Sequence, residues 1–232
     1  MSLDRALSVI GLLLSLPGFL IVVLADDDAA VAALTLLLGL LTLAAAAAVY
    51  YFTNLPEFSL RSVAVALDIR DEAGRRATLA KSYRILPNYG HLDRMVHRNI
   101  AADGSVRNIC WNGAPVPEGN VREVLGQYEV TIGFGAPLPR WAEFPGRLSY
   151  EVVDSFPGRV EALHYVVDFP TRVLEIRVDF PPGRLPREPR AVRSSGGRRP
   201  LRPPRVSPDG RTLELKVRRP MRGAEYSIYW SW

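Results

Sequence analysis

Cysteine is almost missing: Cys110 is the only one among 232 residues. One thiol excludes an intrachain disulfide and any multi-cysteine zinc site, and suits a reducing compartment. Beside Trp111 in a strand-like run, it reads as a buried side chain. Lysine is nearly as scarce. Only Lys81 and Lys216 occur, and arginine supplies the rest of the 29 basic residues. No glycine-rich phosphate loop ends in Gly-Lys-Ser/Thr, and Gly133-Phe134-Gly135 has no helix after it, as a dinucleotide fingerprint requires. Histidine stands at 91, 97 and 164 alone. On a regular strand His91, Asp93 and His97 would share one face, but Arg94 and Arg98 flank them and repel a cation. Ser194-Ser195 lacks a His and Asp arrangement, and Asp71-Glu72 sits in a turn with Arg75 and Arg76. Hydrolase, transferase and oxidoreductase chemistry find no constellation. The chain is expected not to be an enzyme and to need no metal or cofactor.

Charge is missing from two long stretches. Leu7–Ala25 is an uncharged run of 19 residues and Ala29–Phe52 one of 24, with only Asp26, Asp27 and Asp28 between them. A bilayer core of about 30 Å takes roughly 20 apolar residues in a helix. Three adjacent carboxylates are costly in hydrocarbon and mark the water beyond one leaflet. Two helices apolar on every side also find no large core to hide in within a chain of this size. The expectation is a transmembrane hairpin over residues 1–57, with helices at about 7–25 and 29–52.

Arg5 before the first helix, and Arg61 and Arg70 after the second, place both termini in the cytoplasm by the positive-inside rule. The expected location is therefore the inner (cytoplasmic) membrane, as a multi-pass protein. A competing reading makes residues 1–25 a signal peptide cut after Ala25; the second helix would still carry the chain inward. Pro17-Gly18 should kink the first span, and Tyr50 and Tyr51 fit an interfacial belt. Gly11 and Ser15, Thr35 and Gly39, and Ala44 and Ala48 are small residues four apart, a spacing that lets helices pack closely. They suit packing within the hairpin or association into a homo-oligomer.

Residues 58–232 are expected to form a cytosolic all-β antiparallel sandwich, Ig-like or barrel-like, in one piece or in two halves divided near 120. Apolar residues alternate at Val63, Val65, Leu67 and Ile69, at Tyr128–Phe134, Leu163–Phe169, Leu174–Phe180 and Leu213–Val217, and at Tyr226, Ile228, Trp230 and Trp232. Period two marks strands with one buried face. Phe-Pro recurs at 144, 156, 169 and 180, read as strand ends, and Gly146, Gly158 and Gly183 as turn residues. Gly119–Leu125 reads as one helical turn.

Residues 1–58 carry one basic and five acidic residues, a net of −4, so the remainder carries +9 of the total +5. The excess concentrates in 184–205, where Glu188 is the only acid. That segment reads as a mobile loop or as two edge strands around Ser194-Ser195-Gly196-Gly197. Arg187, Arg190, Arg193, Arg198, Arg199 and Arg202 are its candidate contacts to an anionic small-molecule ligand or to lipid headgroups. No aromatic interleaves them, which argues against base stacking and sequence-specific nucleic-acid binding.

A hairpin at Leu7–Phe52, joined by Asn54-Leu55-Pro56-Glu57 to an all-β body, resembles the two-transmembrane β-effectors of bacterial cyclic-nucleotide antiphage systems. The resemblance implies a β domain that senses a nucleotide messenger and hairpins whose oligomerisation disrupts the inner membrane. The expected function is a membrane-anchored β domain that senses a ligand or partner and acts through its hairpin. The alternative is a non-catalytic membrane-tethered scaffold that docks a protein partner.

Overall fold

The computed structural model describes residues 28–54, 56–88, 91–100 and 102–232. The chain divides into two compact units, residues 1–55 and Pro56–Trp232. In the first, helix α1 (Asp28–Asn54) runs 27 residues, about 40 Å at 1.5 Å per residue. Its Ala33–Tyr50 stretch is long and apolar enough to cross a membrane and is not buried in the protein. Leu36, Leu40 and Leu43 are all more than half exposed. Thr42 Oγ1 donates to the Leu38 carbonyl at 2.8 Å, which keeps its hydroxyl satisfied within the helix. An apolar N-terminal helix followed by an all-β domain is therefore what the chain contains. The first expected helix, with Gly11 and Ser15, lies outside the described residues.

Among the described residues the second unit has fifteen strands: β1 (Phe58–Ile69), β2 (Arg76–Pro87), β3 (Leu92–Ile100), β4 (Ser105–Trp111), β5 (Ala114–Pro115), β6 (Val121–Val124), β7 (Gln127–Leu138), β8 (Phe144–Val153), β9 (Val160–Val166), β10 (Val173–Asp179), β11 (Arg187–Ser194), β12 (Arg198–Pro200), β13 (Arg205–Val206), β14 (Thr212–Arg218) and β15 (Glu225–Ser231). The one turn expected after 118 is a 3-10 turn at Glu118–Asn120.

Among the described residues three sheets form, not the two of an Ig-like sandwich: eight strands ordered β13-β14-β10-β1-β2-β8-β4-β5, four ordered β12-β11-β15-β9, and three ordered β3-β7-β6. All named pairings are antiparallel except β1 with β10, where Val63 faces Leu174 and Val65 faces Ile176. A parallel pair needs a long crossover, and here everything from β2 to β9 supplies it.

Inward rows from all three sheets join one apolar cluster, including Val65, Leu67, Leu148, Ile176, Ile132, Ile228 and Trp230. The outer face of the large sheet carries exposed ion pairs, such as Lys216 with Glu175 and Arg177 with Asp179. Pairs of that kind add little stability.

Two punctuation readings are corrected. Phe144-Pro145 opens β8 and does not close a strand, and Pro145 stands opposite Arg84. Gly146 lies within β8 and not in a turn; a Cβ there would come within 2.3 Å of the Trp111 ring. Segment 184–205 is the pair of strands, with β11 and β12 meeting at Ser194 and Arg198 around Gly196 at φ +65°.

Candidate functional site

β2 alternates Ala77, Leu79, Lys81, Tyr83 and Ile85 along its inward row, and all five are buried. The pleat that buries the apolar members carries Lys81 inward with them. It stands between Val65 of β1 and Leu148 of β8 and is only 8% exposed. Its ammonium lies 6.0 Å from the Tyr150 ring centre and 5.6 Å from that of Tyr165. Among the described residues Nζ makes no hydrogen bond or ion pair. Burial drives its pKa down to about 8, against the nearby Asp168 carboxylate, which raises it. Burial also pushes the Tyr150 and Tyr165 hydroxyls up, so both stay protonated.

Lys81 lines a cleft of about 460 Å³ between β2 and β8 of the large sheet and β9 and β15 of the four-stranded sheet. Asp168 stands at one side. Asn99 Nδ2 donates to its Oδ1 at 3.1 Å, and Arg222 Nε donates to its backbone carbonyl at 3.2 Å. Burial holds its carboxyl above the ordinary range, opposed by Lys81, Arg98 and Asn99. Asp103, Glu161 and Glu225 are the other acids along the cleft.

All seven residues of β9 line the same cleft. β9 is the terminal strand of its sheet and pairs only with β15. Among the described residues no backbone hydrogen bond reaches its other edge. An unpaired strand edge is a template for a further extended segment.

His164 on β9 contacts Glu225 Oε1 at 3.2 Å and Ser227 Oγ at 2.9 Å. Both contacts fall on Nδ1. A nucleophilic relay needs serine and carboxylate on opposite ring nitrogens, so this trio is not one. Ser227 is also buried, and its hydroxyl donates to Glu225.

His97 is buried with Nδ1 3.1 Å from Tyr83 Oη, and burial with nearby Lys81 lowers its pKa to about 3. The strand reading of His91, Asp93 and His97 fails because β3 is irregular between Leu92 and Arg94. Asp93 is left exposed while His97 is buried. No three His, Cys, Asp or Glu side chains among the described residues are arranged to hold a metal.

The structure does not bring the six candidate arginines into one cradle. Arg193 and Arg199 face each other across the β11–β12 pair, while Arg198 is opposite Ser194. Adjacent strand positions point to opposite sides, so Arg193 and Arg199 leave one side of the sheet and Arg198 the other. Arg190 stacks on Tyr229 at 5.1 Å and lines a separate groove with Arg198. Arg187 begins β11, across a register irregularity from Arg190, and Arg202 follows β12. Thr35, Gly39, Ala44 and Ala48 lie on α1.

Lys81 was missed from sequence. The signal was there: a charged residue at the apolar parity of Ala77, Leu79, Tyr83 and Ile85.

No family model matches the chain, and no curated protein matches it. Among solved structures, it is similar to an M1 zinc metallopeptidase from Deinococcus radiodurans, at 14% identity over 74% of this chain and 42% of that one, with a TM-score of 0.41. It is also similar to yeast LTA4 hydrolase in complex with bestatin, at 10% identity over 74% and 28%, with a TM-score of 0.42. A third is a putative protease from Parabacteroides distasonis, at 12% identity over 76% and 40%, with a TM-score of 0.43. The chain spans less than half the length of these proteins. All three are named as enzymes, and two expectations are corrected on that finding. The chain is no longer read as a non-enzyme, nor as a β domain that senses and acts through a hairpin or serves as a scaffold. Likeness at this level assigns no reaction to the chain and no role to a residue.

Proposed function

We propose that the β domain binds an extended peptide along the free edge of β9, with the peptide's terminal carboxylate seated on Lys81. One observation carries the reading: a nine-tenths-buried amine without a hydrogen-bond partner faces a cleft whose wall is an unpaired strand. Strand addition supplies affinity through backbone hydrogen bonds, and capture of the chain end supplies register. A carboxylate gives the Lys81 ammonium the charge-assisted partner it lacks. Tyr150 and Tyr165, held protonated, offer further donors. Acids at Asp103, Glu161 and Glu225 favour a cationic or neutral body behind that anionic end.

The test uses the full chain in detergent micelles and short peptides of about five residues, a length that covers most of β9 at 3.3 Å per residue. Peptides with a free carboxylate should bind at least about tenfold more tightly than their amides, a difference of about 1.4 kcal/mol. N-methylation of alternate peptide amides should weaken binding further. Equal affinity of acids and amides would overturn the reading.

We also infer that α1 spans the membrane with the β domain on the cytoplasmic side. The length and exposure of α1 support this, as do Arg61 and Arg70, which follow it. Protease added to sealed inverted vesicles should digest the β domain, and protease added outside intact spheroplasts should not. The reverse pattern would refute that placement.

A further inference from the structure

Lys81 has a second chemistry open to it, beyond binding a carboxylate. A primary amine that is buried, lacks a hydrogen-bond partner and still faces a cavity meets the structural conditions of an imine-forming lysine. Its nitrogen needs only to lose a proton to present a lone pair to a ligand in the cleft. The surroundings favour that loss. The inward neighbours on β2, β8 and β9 are Leu79, Tyr83, Leu148, Tyr150 and Tyr165, which solvate an ammonium poorly.

We propose that Lys81 is a carbonyl-capturing residue, which condenses with a small aldehyde or ketone entering the cleft to form an imine.

The step balances without any redox partner. The Nζ lone pair adds to the carbonyl carbon and forms the C–N bond. The C=O π pair moves to oxygen, which takes a proton, while nitrogen gives one up. The resulting carbinolamine loses its oxygen as water after one more protonation, leaving C=N. Each proton taken up at oxygen is matched by one released from nitrogen or returned from the imine. The Tyr150 and Tyr165 rings have their centres 6.0 and 5.6 Å from the amine, and their hydroxyls remain protonated across the neutral range, so the cleft that holds the amine also holds proton donors for the departing oxygen.

The titratable groups facing the amine bear on its pH range. Asp168 favours the ammonium, whereas burial opposes it and prevails, with a pKa of about 8. Buried His97 stays neutral, and Tyr83, Tyr150 and Tyr165 hold their protons because burial raises all three. The amine is therefore about half free at pH 8. An ordinary surface lysine near 10.4 has well under about one part in a hundred free there.

The sequence provides its own control. The chain has two lysines, and Lys216 sits outside the cleft, at the surface in an ion pair with Glu175. The experiment treats the full chain in detergent at pH 8 with glyoxylate and cyanoborohydride. Hydride reduction fixes any imine as a secondary amine, and digestion with mass mapping locates it. Lys81 should carry at least about tenfold more adduct than Lys216 after brief exposure, an excess that chain unfolded in urea should not show. Lys81→Met should remove the favoured adduct and leave labelling at Lys216 as it was. Labelling of Lys81 equal to or below Lys216 in the folded chain would overturn the proposal.

A carboxylate-terminated peptide added in excess separates this inference from the peptide reading. Protection of Lys81 supports both. Fast labelling without protection keeps imine formation and removes the peptide reading. Peptide binding without preferential labelling does the opposite.

Discussion

The Lys81 ammonium lies 5.6 Å from the centre of the Tyr165 ring, across the space between β2 and β9. One residue comes from the middle of the large sheet and the other from the edge strand of the small one. A cation over an aromatic face gains some attraction, but a ring does not replace the hydrogen bonds the ammonium made in water. The cleft therefore holds a charge that the fold solvates incompletely.

That incomplete solvation has a sign in stability. The folded pKa of Lys81, about 8, lies below the unfolded value near 10.4, so below pH 8 the native state carries a buried ammonium at a cost of up to roughly 3 kcal/mol. The cost is relieved as pH rises from 8 towards 10, where the unfolded chain binds the extra proton. Above 10 the raised tyrosines act in the opposite sense. Lys81→Met should raise the thermal midpoint at pH 7 and show a smaller gain at pH 9.5. A lower midpoint at pH 7 would mean the lysine is satisfied.

His97 bears on the acid side. Its folded pKa is about 3 against about 6.5 unfolded, so the unfolded state takes up a proton first. Stability should fall by about 2 kcal/mol between pH 6.5 and 5 from this group alone. His97→Phe should flatten that slope in pH-dependent denaturation. An unchanged slope would assign it to other groups.

Gly146→Ala should destabilise the β domain by about 1–3 kcal/mol, the usual cost of an overpacked site. The added methyl meets Trp111, whose ring carbon lies 2.3 Å from its position. Thermal melting measures this, and Trp111→Leu in the same background should recover part of the loss. No loss in the single variant would show that the ring moves freely.

The Arg184 guanidinium lies 3.8 Å from the centre of the Trp232 ring and donates to the Glu72 carbonyl at 2.9 Å. Arg184→Ala should cost about 1–2 kcal/mol through the lost stacking and the freed carbonyl. Arg184→Lys should restore little, because an ammonium lacks the planar fork. Full recovery with lysine would reduce the contact to charge alone.

Strands were legible where period two was clean. Val63–Ile69 falls wholly on an observed strand, and the runs at Leu174–Phe180 and Tyr226–Trp232 do so up to their last residue, because alternation is the direct imprint of a half-buried pleat. The sheet count was not legible. Parallel pairing of β1 with β10 joins segments more than a hundred residues apart, and local pattern carries no partner information. Gly146 looked like a turn because its reason for being glycine, the Trp111 ring, sits on another strand.

The site was hidden in a similar way. Lys81 fits the inward parity of β2, but the two tyrosines that define its surroundings come from β8 and β9. The arginines drew attention by density, and adjacent positions on a strand then sent them to opposite sides of the sheet. Density along a chain is not proximity in a sheet.

The central claim is that Lys81 keeps an unpartnered amine facing the cleft. With two lysines in the chain, nitrogen NMR of the side-chain amines in lysine-labelled protein resolves both in one pH titration. One signal, that of Lys81, should titrate near pH 8 and move upward when a carboxylate-terminated peptide is added. A Lys81 signal that titrates near the ordinary lysine value of about 10.4 and ignores the peptide would contradict the account.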